Sequence, residues 1–158
     1  MPGFEVRPAN LEDARALAET FAAVAEERDG IASEPPVDVD ARTARFEASV
    51  GDTLVAVADG DVIGSLHIVR SPFGVGDIGM LVVREWRGRG VGSALLAAAI
   101  EKARADGLHK LALDVFPHNE AAIALYRKFG FVEEGRRVKH YRRRSGELWD
   151  AIVMGLLL

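Results

Sequence analysis

The stretch that most limits what this chain can fold into is Met80 to Leu96, MLVVREWRGRGVGSALL. An apolar run from Ile78 to Val83 reads as a buried strand. It breaks into Arg84-Glu85-Trp86, then Arg87-Gly88-Arg89-Gly90-Val91-Gly92, and an Ala/Leu-rich stretch with helical spacing follows. A strand that passes through a glycine turn into a helix puts the turn where the first helical N–H groups lack an intrahelical partner and the helix dipole is positive. Three glycines allow close approach to the backbone, and Arg84, Arg87 and Arg89 add charge. That chemistry suits a phosphate or pyrophosphate.

Two common phosphate loops fail against the letters. G-x-G-x-x-G would need glycine at Ser93 or Leu95, and a Walker loop would need Gly-Lys-Ser/Thr. What remains is Arg87-x-x-Gly90-x-Gly92 behind a strand.

Length and composition narrow the rest. At 158 residues the chain fits a single domain over 1–158 with one core. It has no apolar run long enough to span a bilayer and no secretory leader, so a cytoplasmic location without membrane contact is expected. The absence of cysteine rules out disulfides, thiolate metal sites and an acyl-cysteine intermediate. Formal charge is −4, split unevenly: residues 1–83 hold six Lys/Arg against fifteen Asp/Glu, residues 84–158 fourteen against nine. A basic C-terminal half suits a polyanionic cofactor and an acidic N-terminal half an amine.

Taken in order, Phe4 to Arg7 alternates and is closed by Pro8, a short first strand. Asn10 and Asp13 resemble a capping box ahead of a helix carrying Leu11, Ala14, Leu17, Phe21 and Val24 on one face. Glu26 and Glu27 read as its solvated end, and a second helical stretch is expected near Val39 to Val50. Leu54 to Ala58 and Val62 to Val69 flank Asp59-Gly60-Asp61 as a hairpin. After the glycine turn a helix runs to Gly107, Leu108 to Phe116 forms a strand, Pro117 to Glu120 opens a helix ended by Gly130, and two more strands meet at Ser145-Gly146. Early strands arriving as a hairpin make the sheet mixed rather than parallel.

The stretch Asp114 to Phe131, DVFPHNEAAIALYRKFGF, has Asn119, Tyr126 seven residues later and a closing Gly130-Phe131. Together with the Arg87–Gly92 loop, it is similar to the paired motifs of the GCN5-related N-acetyltransferase (GNAT) superfamily. The tail, from Phe131-Val132-Glu133-Glu134-Gly135 to Gly146-Glu147-Leu148-Trp149-Asp150, resembles the branch of small bacterial enzymes that acetylate amino acids and related amines. Asn119 to Tyr126 and Asp150 to Met154 also resemble the branch that acetylates the N-terminal alanine of a ribosomal protein.

The resemblance implies an α/β (α+β) fold with a mixed, mainly antiparallel sheet of about seven strands, flanked by about four helices and splayed at the central strand to admit acyl-CoA. It also implies direct attack of a primary amine, that of a small molecule such as an amino acid, on bound acetyl-CoA. A protein N-terminal acetyltransferase is the alternative enzyme, and a non-catalytic acyl-CoA-binding module the alternative of another class. Met80, Leu81 and Val82 would pair with pantetheine, with a strand N–H near Val82 serving as oxyanion donor. Arg87, Gly88, Arg89, Gly90, Val91, Gly92 and Ser93 would take the pyrophosphate. Asn119 would cap its helix and touch the pantetheine arm. Tyr126, otherwise a core tyrosine, would protonate or hydrogen-bond the departing sulfur. Asp77 and Asp114 are the candidate bases, either acting through water. His67, His109, His118 and His140 have no ligand spacing, so no metal is expected. The basic run Arg136 to Arg144 reads as a solvated edge or a contact to an acidic substrate group, with no nucleic-acid partner expected. A homodimer is compatible with the family, and Ile152 to Leu158 could serve it or fill the core.

Overall fold

A computed structural model describes residues 3–158. Its elements are β1 (Glu5–Pro8), α1 (Ala14–Ala25), α2 (Val39–Ser49), β2 (Thr53–Ala58), β3 (Asp61–Arg70), β4 (Val75–Val82), α3 (Val91–Ala105), β5 (Lys110–Val115), α4 (Glu120–Lys128), β6 (Val132–Arg142) and β7 (Leu148–Leu157). The strands form a seven-stranded sheet in the order β1-β2-β3-β4-β5-β7-β6. β4 and β5 run parallel, with Val75, Gly76 and Asp77 in register with Lys110, Leu111 and Ala112. The β1–β2, β2–β3, β5–β7 and β6–β7 ladders are antiparallel. This is the mixed, mainly antiparallel sheet that the sequence suggests.

The chain groups into two compact units. One comprises the residues up to Val69 with Gly79–Ala99, the other Arg70–Ile78 with Ile100–Leu158.

In the first unit, α1 is set by its entry. The Asn10 side chain accepts from the Glu12 N–H at 3.0 Å, and Asp13 accepts from the Asn10 N–H at 2.8 Å while Arg7 grips both its oxygens. That capping box fixes the helix start, so Ala14, Leu17 and Ala18 pack with Phe46 of α2 and Val55 of β2. Asp59 and Gly60 both take positive φ, closing the two-residue turn between Ala58 and Asp61. On β3, Gly64 has no side chain to hold α3 away. A Cβ there would lie 3.0 Å from the Leu81 carbonyl oxygen and 3.2 and 3.3 Å from Val91 and Leu95. Glycine thus brings the start of α3 down onto the strands, and Val91, Leu95 and Leu96 are buried.

In the second unit, β5 alternates inward Leu111, Leu113 and Val115 with outward Asp114. β7 lies between β5 and β6, with Ala151 and Met154 wholly buried, so its apolar sequence serves the sheet interior. The two-residue alternation of a regular strand breaks in β6. The register slips between Arg137 and Tyr141, and Lys139 takes a φ of 50°. Asp150 holds this bulge, accepting from the Lys139 N–H at 2.7 Å and from Arg136 Nε at 2.8 Å.

Candidate active site

The end of β4 and the loop behind it are built by one side chain. Arg87 Nε donates to the Val82 carbonyl at 2.9 Å, while Nη1 and Nη2 donate to the two carboxylate oxygens of Glu27 at 2.7 and 2.9 Å. Arg84 reaches the same carboxylate at 3.4 Å. Glu27 is therefore not the solvated helix end expected: its side chain is only 13% exposed, and the arginines hold its carboxyl below the ordinary carboxylate range. Of the three loop arginines, Arg89 keeps its charge clear of any carboxylate among the described residues and lies 3.7 Å over the Trp86 ring.

The loop itself is exposed from Arg87 to Gly90. Gly88 and Gly90 take φ of 72° and 87°, a conformation that side-chain-bearing residues resist, and a Cβ on either would meet nothing within 4 Å. Backbone conformation, not crowding, demands glycine at both. The hydrogen bonds of α3 begin with Ala94 N–H donating to the Gly90 carbonyl at 3.0 Å. The N–H groups of Val91, Gly92 and Ser93 thus precede the helical ladder at its positive end, which is what an anion needs.

Along β4, Met80 and Val82 are half-buried and Leu81 is buried. His67 of β3 lies on Gly79, where a Cβ would fall inside van der Waals contact of its ring. Burial, with Arg42 and Arg45 as lesser contributors, pushes the imidazole pKa below its ordinary value, so His67 is neutral at pH 7.

In the second unit, Asp77 and Asp114 share one face of the sheet. Asp77 is in register with Ala112, two residues before Asp114. Both are exposed, yet they differ in company. Oδ2 of Asp114 takes Arg137 Nε and the Tyr141 hydroxyl, both at 3.0 Å, whereas Asp77 has no side-chain partner among the described residues. Asn119 caps α4 through Oδ1, which accepts from the Ala122 N–H at 3.4 Å, leaving its amide N–H₂ for another partner. Tyr126 is buried, its ring 5.6 Å from Phe131, and burial pushes its phenol pKa up to about 12.

The basic run of β6 lies along an exposed edge strand, as expected, and two of its arginines are claimed by acids. Arg136 pairs with Asp150 and Arg137 with Asp114. Arg143 is 4% exposed, its guanidinium 4.3 Å from the Trp149 ring and 5.3 Å from that of Phe116. Beside these rings lies a depression of about 360 Å³ lined by Pro117, His118, Arg136, Leu148, Trp149 and Asp150. Strand alternation could not find this arrangement, because the bulge at Lys139 resets which side chains share a face.

The sequence model of the acetyltransferase (GNAT) family matches residues 14–131, well over half of the chain. The protein belongs to the GNAT acetyltransferases. Its relatives within that family include the L-amino acid N-acetyltransferase AaaT of Escherichia coli, 42% identical over 64% of this chain and 65% of the relative. The chain therefore spans just under two thirds of AaaT. The L-methionine sulfoximine/L-methionine sulfone acetyltransferase of Pseudomonas paraeruginosa is 33% identical over 80% of this chain and 78% of its own. Among solved structures, YncA of Salmonella typhimurium, determined with its cofactor acetyl-CoA, superposes with a TM-score of 0.87 at 27% identity, covering 99% of this chain and 94% of the other. No helix among the described residues is long and apolar enough to cross a membrane.

Proposed function

We propose that this GNAT acetyltransferase moves the acetyl group of acetyl-CoA onto the α-amine of a free L-amino acid or an amino-acid-like compound, in the cytoplasm. The observation that carries the reading is the exposed Gly88–Gly90 turn, held by Arg87 between Glu27 and Val82 and opening onto the start of α3. Its N–H groups and the Arg89 charge suit the pyrophosphate of CoA. The acceptor class is supported by the relatives named for L-amino acids and for methionine sulfoximine and sulfone.

In this reading the backbone of Met80, Leu81 and Val82 pairs with the pantetheine amides as an added strand would, and an N–H near Val82 receives the charge that develops on the thioester oxygen. The amine nitrogen attacks the carbonyl carbon; the C–N bond forms and the C–S bond breaks. Asp77, with unclaimed oxygens, takes the amine proton through water, while Asp114 positions Tyr141. Asn119 offers its amide to the pantetheine arm. Tyr126 acts on the departing sulfur. With a phenol near 12 and a thiol near about 8.5, full proton transfer would be uphill by roughly 5 kcal/mol, so Tyr126 is assigned as a hydrogen-bond donor to the thiolate.

The test is release of CoA from acetyl-CoA, read by a thiol reagent against which this cysteine-free protein contributes no background. Release dependent on an L-amino acid supports the reading. Release with peptides beginning in alanine, and none with amino acids, would replace it.

A further inference from the structure

Arg42 on α2, like Arg45 and Arg89 of the same unit, meets no carboxylate among the described residues. Arg7, Arg15, Arg84 and Arg87 of the same unit each meet a carboxylate. Arg42 instead lies with its guanidinium carbon 3.9 Å over the Phe21 ring of α1 and has no hydrogen-bond acceptor for its side chain among the described residues. It is half-buried, and its electrostatic neighbours are Arg45 and the His67 ring seated on Gly79 of β4. Acids are not scarce here, since residues 1–83 hold fifteen against six Lys/Arg. A half-buried cation beside another cation, left without an acid in an acidic segment, loses solvation with no partner to offset it. Such an arrangement is stable enough to keep and poised for an anion.

Stacking on Phe21 occupies one face of the guanidinium and leaves its N–H edge available, the edge that grips a carboxylate with two parallel hydrogen bonds. His67, neutral, adds a wall without competing charge. We infer that Arg42, backed by Arg45, anchors the carboxylate of the acceptor amino acid. The inference rests on the proposed amino-acid acceptor and adds the residue that distinguishes a free amino acid from a carboxyl-free amine.

The experiment compares L-methionine sulfone with its carboxamide as acceptors for wild type, Arg42→Met and Arg42→Lys, with acetyl-CoA saturating. Wild type is expected to favour the free acid. Arg42→Met should raise the KM for the acid about 10- to 100-fold while leaving the carboxamide and the KM for acetyl-CoA unchanged, and Arg42→Lys should fall between. Equal loss on acid and carboxamide, or no loss on either, overturns the anchor while leaving the amino-acid reading standing. Turnover of carboxyl-free amines or alanine peptides with none on the acid overturns both. A melt raised by acetyl-CoA confirms that each variant is folded; if Arg42→Met fails that check, Arg42→Lys alone decides, and an unchanged KM for the acid would refute the anchor.

Discussion

Glu27 and Arg87 meet through two parallel hydrogen bonds of 2.7 and 2.9 Å although sixty positions separate them in the chain. The pair ties the end of α1 to the glycine loop, and the third donor of Arg87 ties the same loop to Val82. Arg87 therefore shapes the loop, and the backbone N–H groups with Arg89 are left to meet an anion.

Glu27→Gln should loosen that tether. Because Arg87 is 43% exposed, the stability loss is expected to be about 1 kcal/mol, a melting temperature roughly 2–4 °C lower. The KM for acetyl-CoA should rise several-fold with kcat little changed. The folded-state carboxyl lies below its ordinary value, so its contribution is complete above the unfolded pKa and fades as pH falls through the folded one. Melting of wild type and variant should differ at pH 7 and converge at acid pH; a constant gap would show that the charge is not the cause.

Gly90→Asp tests the loop as an anion site. Open space surrounds the position, and its positive φ should cost only about 1 kcal/mol, so the variant should fold. A carboxylate set against the pyrophosphate should abolish the thermal shift given by acetyl-CoA. Undiminished binding by a folded Gly90→Asp protein would remove the loop from the site.

Tyr126→Phe should lower kcat about tenfold or more with acetyl-CoA affinity preserved. The wild-type phenol, raised to about 12, keeps its proton far into alkali, so this group should add no falling limb to the rate near pH 10. Its stability contribution is complete below pH 10 and is lost as pH climbs from there toward 12. Unchanged turnover in the phenylalanine variant would return Tyr126 to a packing role.

Gly79→Ala should be costly for a different reason. Its backbone is unstrained, but a methyl there runs into the His67 ring, an overpacking penalty of about 1–3 kcal/mol. Pairing it with His67→Ala should restore much of the melting temperature. Additive losses in the double variant would mean that the two residues do not share that contact.

Most elements were legible in the sequence because local chemistry marks their ends. Asn10 with Asp13, Asp59-Gly60, Gly107 and Gly130 each punctuate the chain through their own backbone or side-chain preferences. The paired motifs that point to an acetyltransferase are contiguous and equally legible. What could not be read was decided by distant partners. Glu27 looks like any charged helix end until Arg87 arrives, and the bulge between Arg137 and Tyr141, both of which reach Asp114, depends on Asp150 of the next strand. Arg42 carries no sequence mark at all, since its lack of a carboxylate partner among the described residues is visible only once the chain is folded.

The most direct test of the account is a competition assay in which acetyl-CoA, the protein and an equimolar mixture of L-amino acids, polyamines and alanine-initiated peptides are incubated together and the acetylated products identified by mass spectrometry. N-acetyl amino acids as the dominant product, formed in step with CoA release, are the expected result. Acetylated peptide or polyamine as the dominant product would contradict it.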